Sequence, residues 1–314
     1  MLLPQEKKLA YAMVVVNASI IGLSFLFTKM ALEHASPIDT LAFRFALSFA
    51  VMSIPVLLGQ VKLQYRGKPT GQALLLAAAY PLGFFTFQTY GLKHASSSEG
   101  GILYAFTPVL TLLLASVFLK EATTLRQKLS IFLSVFGVVF IFTMKGSGID
   151  WSNVTGILLL FLSGLAFAGY SVLARSLLRT FSPAEITYLT LGVGFAAFSA
   201  VALAGHAAAG TLGSFVAPLA SGGFLVSIGY LGILSSLVTA LTANYALSKM
   251  EASRMSVFSN LSVVVSLAAG ALILGENITW YHAIGSALIL AGVTGANMRS
   301  RRNKAKPRAA TPTG

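Results

Sequence analysis

The chain has 314 residues, 56% of them hydrophobic and 10% charged, with a mean hydropathy of +0.80. Soluble domains carry roughly 25% charged residues, so this composition excludes an ordinary soluble domain and describes a polytopic membrane protein. The absence of cysteine removes disulfides, thiolate metal sites and a cysteine nucleophile, and the net charge of +13 is scattered between apolar segments and one tail, not gathered into the continuous basic face that nucleic acid needs.

A bilayer core about 30 Å thick needs about 20 apolar residues per helix. Breaking the chain at its polar clusters predicts an all-α membrane protein of ten transmembrane helices. A segment 1–8 leads into spans 9–31, 39–59, 72–93, 99–119, 126–144, 156–178, 186–206, 222–247, 253–275 and 279–298, and a basic tail covers 299–314. Span 1 is longer than the apolar region of a signal peptide and lacks a cleavage site, so it is read as a helix of the mature protein.

Polar side chains facing lipid are costly, so those deep in a span should face a cavity or another helix. In span 1, Asn17, Ser24 and Thr28 share one face. In span 2, Arg44 is expected to snorkel to the outer interface or to pair structurally, the alternative being a pairing with Glu33, Asp39 or Glu99 that latches the outer gate. Span 3 aligns Tyr80, Phe84, Phe87 and Gln88, and span 4 aligns Tyr104, Thr107, Pro108 and Thr111. Pro81 and Pro108 are expected to remove backbone hydrogen bonds within those two helices. Span 6 presents Ser163, Phe167, Tyr170 and Ser171. Span 8 presents Ser235, Ser236 and Thr239, with Asn244 and Tyr245 beyond, and span 9 presents Ser259, Asn260, Ser262 and Ser266.

A lone hydroxyl can equally bond its own helix, whereas the carboxamides of Asn17, Gln88 and Asn260 need partners inside hydrocarbon and are the stronger candidates. The expected substrate contacts from these faces are Asn17, Ser24, Thr28, Tyr80, Phe84, Gln88, Tyr104, Thr107, Thr111, Ser163, Tyr170, Ser236, Thr239, Ser259 and Asn260. Aromatic walls with a few polar contacts suit a small amphipathic molecule. Small residues at every fourth position predict close helix contacts, within the chain or in a homo-oligomer. They are Gly192, Ala196, Ala200 and Ala204 in span 7, Gly232, Ser236 and Ala240 in span 8, and Ala287, Ala291 and Gly295 in span 10. The uncharged segment 207–221 reads as an extracytoplasmic loop.

Of the 22 Lys and Arg, 18 fall on the side of the membrane that holds the N-terminus, six of them in the tail from Arg299 to Arg308. Only Lys29, Arg44, Lys93 and Lys145 fall on the other. Cytoplasmic loops are enriched in these residues, which places both termini in the cytoplasm and agrees with an even helix count. The tail reads as a topology anchor, with anionic lipid head groups as the alternative.

The halves repeat. Adding 155 carries Leu82 onto Leu237, Tyr90 onto Tyr245, Leu119 onto Leu274, Glu121 onto Glu276, Gly137 onto Gly292 and Val138 onto Val293. Nearer the start of each half an offset of 146 carries Ser36-Pro37 onto Ser182-Pro183 and Lys29 onto Arg175. An odd number of crossings reverses the side of entry, so five-helix units at 9–145 and 150–298 would sit inverted relative to each other, as in many secondary transporters.

Gly22 to Lys29, Ser36-Pro37 followed by Arg44, Thr107-Pro108, the run Leu119 to Glu121 and Gly137-Val138 mark the first half. Ser182-Pro183, Leu274-Gly275-Glu276 and Gly292-Val293 mark the second. In order and spacing these resemble two EamA domains of the drug/metabolite transporter superfamily, over nearly the whole chain. Members often carry Trp where Ile21 stands here, and Val263 aligns with Pro108. The resemblance implies ten helices, a central cavity lined by helices 1, 3, 4, 6, 8 and 9, and movement of small metabolites. YddG-like amino acid exporters are the branch it suggests.

No Asp or Glu falls near the middle of a span: Glu6, Glu33, Asp39, Glu99, Glu121, Asp150, Glu185, Glu251 and Glu276 sit at helix ends, in loops or ahead of the first span. Ion-driven carriers usually keep an ionisable residue in the pathway, so transport without ion coupling is expected. Glu121 and Glu276 are expected to cap or pair locally, not to close gates. No metalloprotease motif, nucleophile elbow or phosphate loop occurs, and the four histidines, His34, His94, His206 and His282, lie scattered at span ends. No enzyme activity, metal or cofactor is therefore expected. The reading is an inner-membrane carrier of small metabolites, amino acids first, exporting by alternating access with the bilayer and a small-molecule substrate as partners. An uptake carrier for a sugar or quaternary amine, a channel and a membrane scaffold remain the alternatives.

Overall fold

The computed structural model describes residues 4–95, 100, 103–121, 123–144, 146, 154–265, 268 and 279–297. Glu99, Lys145, Asp150, Ser266, Leu274-Gly275-Glu276 and the basic tail lie outside them. The main helices are α1 (Pro4–Leu32), α2 (Pro37–Leu57), α3 (Thr70–His94), α4 (Thr107–Phe118), α5 (Leu125–Met144), α6 (Val154–Leu177), α7 (Pro183–Ala208), α8 (Gly222–Lys249), α9 (252–265) and α10 (Trp280–Asn297). Among the described residues seven helices, α1, α2, α3, α5, α6, α7 and α8, are long and apolar enough to cross a membrane. Their outer faces read as lipid contacts. On α5, Leu125, Leu129, Phe132 and Phe136 recur at helical spacing and are all exposed.

Helix starts follow local chemistry. The Ser36 hydroxyl accepts from the Asp39 amide at 3.2 Å, with Pro37 in the first turn of α2. The Ser182 hydroxyl accepts from the Glu185 amide while the Glu185 carboxylate accepts from the Ser182 amide at 2.8 Å, a complete capping box ahead of α7. Lys120 takes a left-handed φ of 52° at the end of α4, where the Glu121 amide reaches back to the Ala115 carbonyl at 3.2 Å. The segment 207–221 is not the plain loop expected. α7 continues to Ala208, and the turns Leu212–Phe215 and Ala217–Ala220 fold Phe215 onto Phe43, ring centroids 4.7 Å apart.

Two helices break at their midpoints. In α3, Tyr80 is extended (φ −145°, ψ 115°) and Pro81, which cannot donate a backbone hydrogen bond, follows it across a cis peptide. In α8 the wider π-helical turns of Tyr230–Val238 interrupt the α-helix. Adding 155 to Tyr80-Pro81 gives Ser235-Ser236, inside that interruption. Pro108 does otherwise than expected: it lies in the first turn of α4, where its missing N–H costs no bond.

Helices pair between the halves: α1 with α8 and α3 with α6, α2 with α7, and α5 with α10. Close approach explains the last pair. A Cβ on Gly292 would lie 2.6 Å from the Ser130 carbonyl oxygen, and one on Gly137 would lie 2.8 Å from the Gly285 carbonyl oxygen. The small-residue stripes divide: Gly232, Ser236 and Ala240 are buried in α8, but Ala196, Ala200 and Ala204 of α7 and Ala287 and Ala291 of α10 face outward. The face of α10 that packs on α5 carries Gly285, Ile289 and Gly292 and, of the expected stripe, only Gly295, which lies against Ser130.

Gly292→Val should therefore lower the thermal unfolding midpoint in detergent by an overpacking cost of about 1–3 kcal/mol. Gly169→Ala, where an added Cβ meets nothing within 4 Å, should leave the midpoint unchanged or slightly raised.

Candidate functional site

The two breaks face a narrow hollow in the middle of the bundle. Asn17 and Ser24 of α1, Arg44 of α2, Tyr80, Phe84, Phe85 and Gln88 of α3, Tyr104 ahead of α4, Phe167 and Tyr170 of α6, and Ser235, Thr239 and Ala243 of α8 line it. A second, smaller hollow shares Asn17, Ile21, Tyr104 and Phe167 with it and runs on to Met255, Ser256 and Ser259 of α9.

The walls are a packed aromatic cluster. Tyr80 stacks on Tyr170 with centroids 4.4 Å apart, Phe84 meets Phe167 at 5.3 Å and Tyr104 meets Phe167 at 5.8 Å. The Tyr170 hydroxyl donates to Asn244 Oδ1 at 2.6 Å, and Asn244 Nδ2 donates to Thr187 Oγ1 at 3.0 Å, so α6, α8 and α7 are joined behind the rings. Asn17 Nδ2 donates to the Thr239 carbonyl at 2.8 Å and to Thr242 Oγ1 at 3.0 Å.

Arg44 departs from expectation. It is the eighth residue of α2 and 1% exposed, so it does not snorkel. Its Nε donates to Ser236 Oγ at 2.6 Å, and its Nη2 donates to the Ser235 carbonyl at 3.1 Å and the Ser235 hydroxyl at 3.0 Å. The guanidinium carbon lies 4.1 Å from the Phe85 ring centroid. Ser235 is the fourteenth of 28 residues in α8, so the charge sits halfway through the bundle. Asp39, an expected partner, instead meets His206 Nε2 at 3.1 Å.

Of the expected contacts, Asn17, Ser24, Tyr80, Phe84, Gln88, Tyr104, Tyr170 and Thr239 line the larger hollow and Ser259 the smaller. The others lie elsewhere. Thr28 donates to the Ser24 carbonyl and Ser163 to the Leu160 carbonyl, each within its own helix. Ser236 is taken up by Arg44. Thr107 and Thr111 are fully buried, with hydroxyls that find no partner among the described residues. Asn260 Nδ2 donates to Ser134 Oγ at 3.0 Å, tying α9 to α5 away from both hollows. Arg44 and Phe85 were not among the expected contacts. The signal for Arg44 was its depth: a cation two turns inside a 21-residue apolar helix is far from either end.

The cavity helices are tied together at the end that holds the N-terminus. Glu6 pairs with Lys249 at 2.8 Å, and Arg175 Nη1 donates to the Leu247 carbonyl at 2.6 Å. Glu121 accepts from the Ala252 amide at 3.1 Å and from the Ser253 hydroxyl at 2.7 Å, capping α9. Next to them Lys68 meets Glu185 at 2.6 Å, and Tyr65 donates to the Glu185 backbone carbonyl at 2.9 Å. Burial, and then the Glu185 charge, push the Tyr65 phenol up to about 12, so it remains a donor throughout the physiological range.

Tyr170→Phe leaves the Asn244 carbonyl oxygen unpaired and should cost about 1–3 kcal/mol of stability. A cycle with Asn244→Ala, read by thermal unfolding, should be non-additive because the pair acts as one unit.

Residues 8–143 and 154–298 each match the EamA-like transporter family. The chain is 45% identical over 298 residues to the uncharacterized transporter YcxC of Bacillus subtilis, a match spanning 95% of this chain and 96% of that protein. It is 29% identical over 284 residues to an uncharacterized transporter of Archaeoglobus fulgidus, covering 87% and 92% of the two chains. It is 23% identical to the WAT1-related protein At5g40240 of Arabidopsis thaliana, covering 90% and 83%. Among solved structures, one crystal structure superposes with a TM-score of 0.72 at 18% identity over 93% of this chain and 97% of the other, a likeness of fold alone.

Proposed function

Because the chain belongs to the EamA-like transporter family, whose members are membrane transporters and not enzymes, we propose that it exports small metabolites, amino acids first, across the bacterial plasma membrane by alternating access without ion coupling. The observation that carries this reading is the hollow at the two helix breaks. It is walled by Tyr and Phe, supplied with the carboxamides of Asn17 and Gln88, and lined by no Asp or Glu among the described residues. Such a wall suits a small amphipathic molecule, and the missing carboxylate removes the usual carrier of a coupling proton or sodium ion.

The family matches over both halves and the pairing of α1 with α8 and α3 with α6 support ten spans in two inverted units, 9–145 and 150–298. The lysine and arginine bias supports cytoplasmic termini. The ties among α1, α4, α6, α8 and α9 would then close the cavity toward the cytoplasm. The alternative of a quaternary amine substrate is disfavoured by Arg44, a cation in the cavity wall.

In proteoliposomes, counterflow of labelled amino acids should saturate and rise when unlabelled substrate is loaded on the opposite side, whereas a pH gradient alone should drive no accumulation. Accumulation on a proton gradient would remove the uncoupled mechanism. Gln88→Ala should reduce flux about fivefold, the worth of one hydrogen bond of about 1 kcal/mol, with normal yield of folded protein, whereas Asn17→Ala should lower both flux and thermal stability because it also leaves the Thr239 carbonyl without its donor. Asn260→Ala should instead lower thermal stability, because its partner is Ser134 on α5.

A further inference from the structure

An arginine side chain keeps its charge under all ordinary conditions, and a charge buried in a protein is normally paired. Among the described residues no carboxylate comes within ion-pair distance of Arg44, whose anchors are the neutral Ser235, Ser236 and the Phe85 ring. Those anchors occupy Nε and Nη2. Nη1, with its two N–H groups, has no partner among the described residues, and Arg44 belongs to the wall of the larger hollow. The site is therefore held open on one side of a fixed cation: the serines orient the guanidinium plane, Phe85 covers a face of it, and the remaining donors have nothing to bind among the described residues.

We propose that Arg44 is the docking point for a carboxylate of the transported molecule, seated on Nη1 with the apolar body of the substrate among the rings of Tyr80, Phe84 and Tyr104. This rests on the transport reading above and narrows it to small monocarboxylates with an aromatic or other apolar side chain. Asn17 spends its amide hydrogens on Thr239 and Thr242, which leaves its carbonyl oxygen, with the carboxamide of Gln88, as the neutral acceptors an α-ammonium group would need. A cation without its own carboxylate gains nothing at this site and meets Arg44 as a like charge.

The test uses the full chain in detergent and chloride-free buffer, with thermal unfolding measured in L-phenylalanine, phenylacetate, L-phenylalaninamide, phenethylamine and sodium chloride. The two carboxylates should raise the midpoint by several degrees, the amide and amine should not, and Arg44→Gln should erase the difference. In counterflow, Arg44→Lys, which keeps the charge but loses the planar fork, should raise KM for the carboxylates at least tenfold with a much smaller change in maximal rate. Arg66→Gln, an exposed loop arginine, should change neither.

Equal stabilisation by L-phenylalanine and its amide would overturn the proposal, as would an unchanged KM in folded Arg44→Gln. So would an Arg44-dependent shift with chloride alone, which would make the site a resident inorganic anion site. If Arg44→Gln fails to fold, the wild-type panel and Arg44→Lys decide. Counterflow of sugars or amines but of no carboxylate would sink the proposal and leave the transporter standing. Arg44-dependent stabilisation by carboxylates with no counterflow of any compound would keep the site and sink the transport reading.

Discussion

Hydrocarbon offers no water to an open backbone carbonyl, so a helix that breaks inside the membrane must borrow partners from its neighbours. In α8 the borrowing can be followed bond by bond. The Gly232 carbonyl accepts from Ser48 at 2.8 Å, the Ser235 carbonyl from Arg44 at 3.1 Å and the Thr239 carbonyl from Asn17 at 2.8 Å. Three polar side chains of α1 and α2 thus bond carbonyls along the middle of α8. Two of the three, Asn17 and Arg44, also line the hollow.

Around that polar centre the structure depends on close packing. α5 and α10 touch through Gly137, Gly285 and Gly292, and Gly194 of α7 lets the Phe45 ring of α2 approach to where a Cβ would lie 2.6 Å from its Cδ1. These contacts hold helices of opposite halves side by side. Acids at the third position of each helix tie down their starts: Asp39 of α2 to His206 near the end of α7, and Glu185 of α7 to Lys68 in the loop between α2 and α3. Since the start of α2 meets the end of α7 at Asp39–His206, while Phe49 further along α2 meets Tyr188 early in α7, the two run antiparallel. The Ser-Pro motif that starts both helices is what places those acids.

Most of the helical plan was legible because apolar length and Ser-Pro starts are local signals. α2 and α7 begin two or three residues from where hydropathy alone would put them, since the capping serines reach past the apolar edge. The polar faces of α1, α3 and α8 were legible too, because Asn17, Gln88 and Thr239 recur with helical spacing. Other assignments required tertiary partners. Asn260 has the residue type of a ligand contact, yet the small Ser134 on α5 leaves room for it to bond there. Thr107 lies at the right spacing but against α6, where a Cβ on Gly164 would be 3.4 Å from its hydroxyl. The outward stripe of α7 shows the same limit: a row of small residues is compatible with a neighbour but does not create one.

The repeat makes the halves similar without making the site symmetric. Tyr80-Pro81 and Ser235-Ser236 occupy equivalent places, so both middle helices open at the same depth, one through a proline and an extended residue, the other through wide turns. The proline side exposes an aromatic ring to the hollow, and the serine side exposes oxygens that a donor can use. By the offset of 146, Arg44 corresponds to Thr190, whose hydroxyl bonds back to the Ile186 carbonyl of its own helix. One half therefore supplies the cation, the other supplies the oxygens that hold it in place, and both supply rings. A ligand in this hollow meets a charged side and a neutral one, which orients it: an anionic group is drawn to the α2 side, and the apolar remainder is left to the stacked rings of α3 and α6.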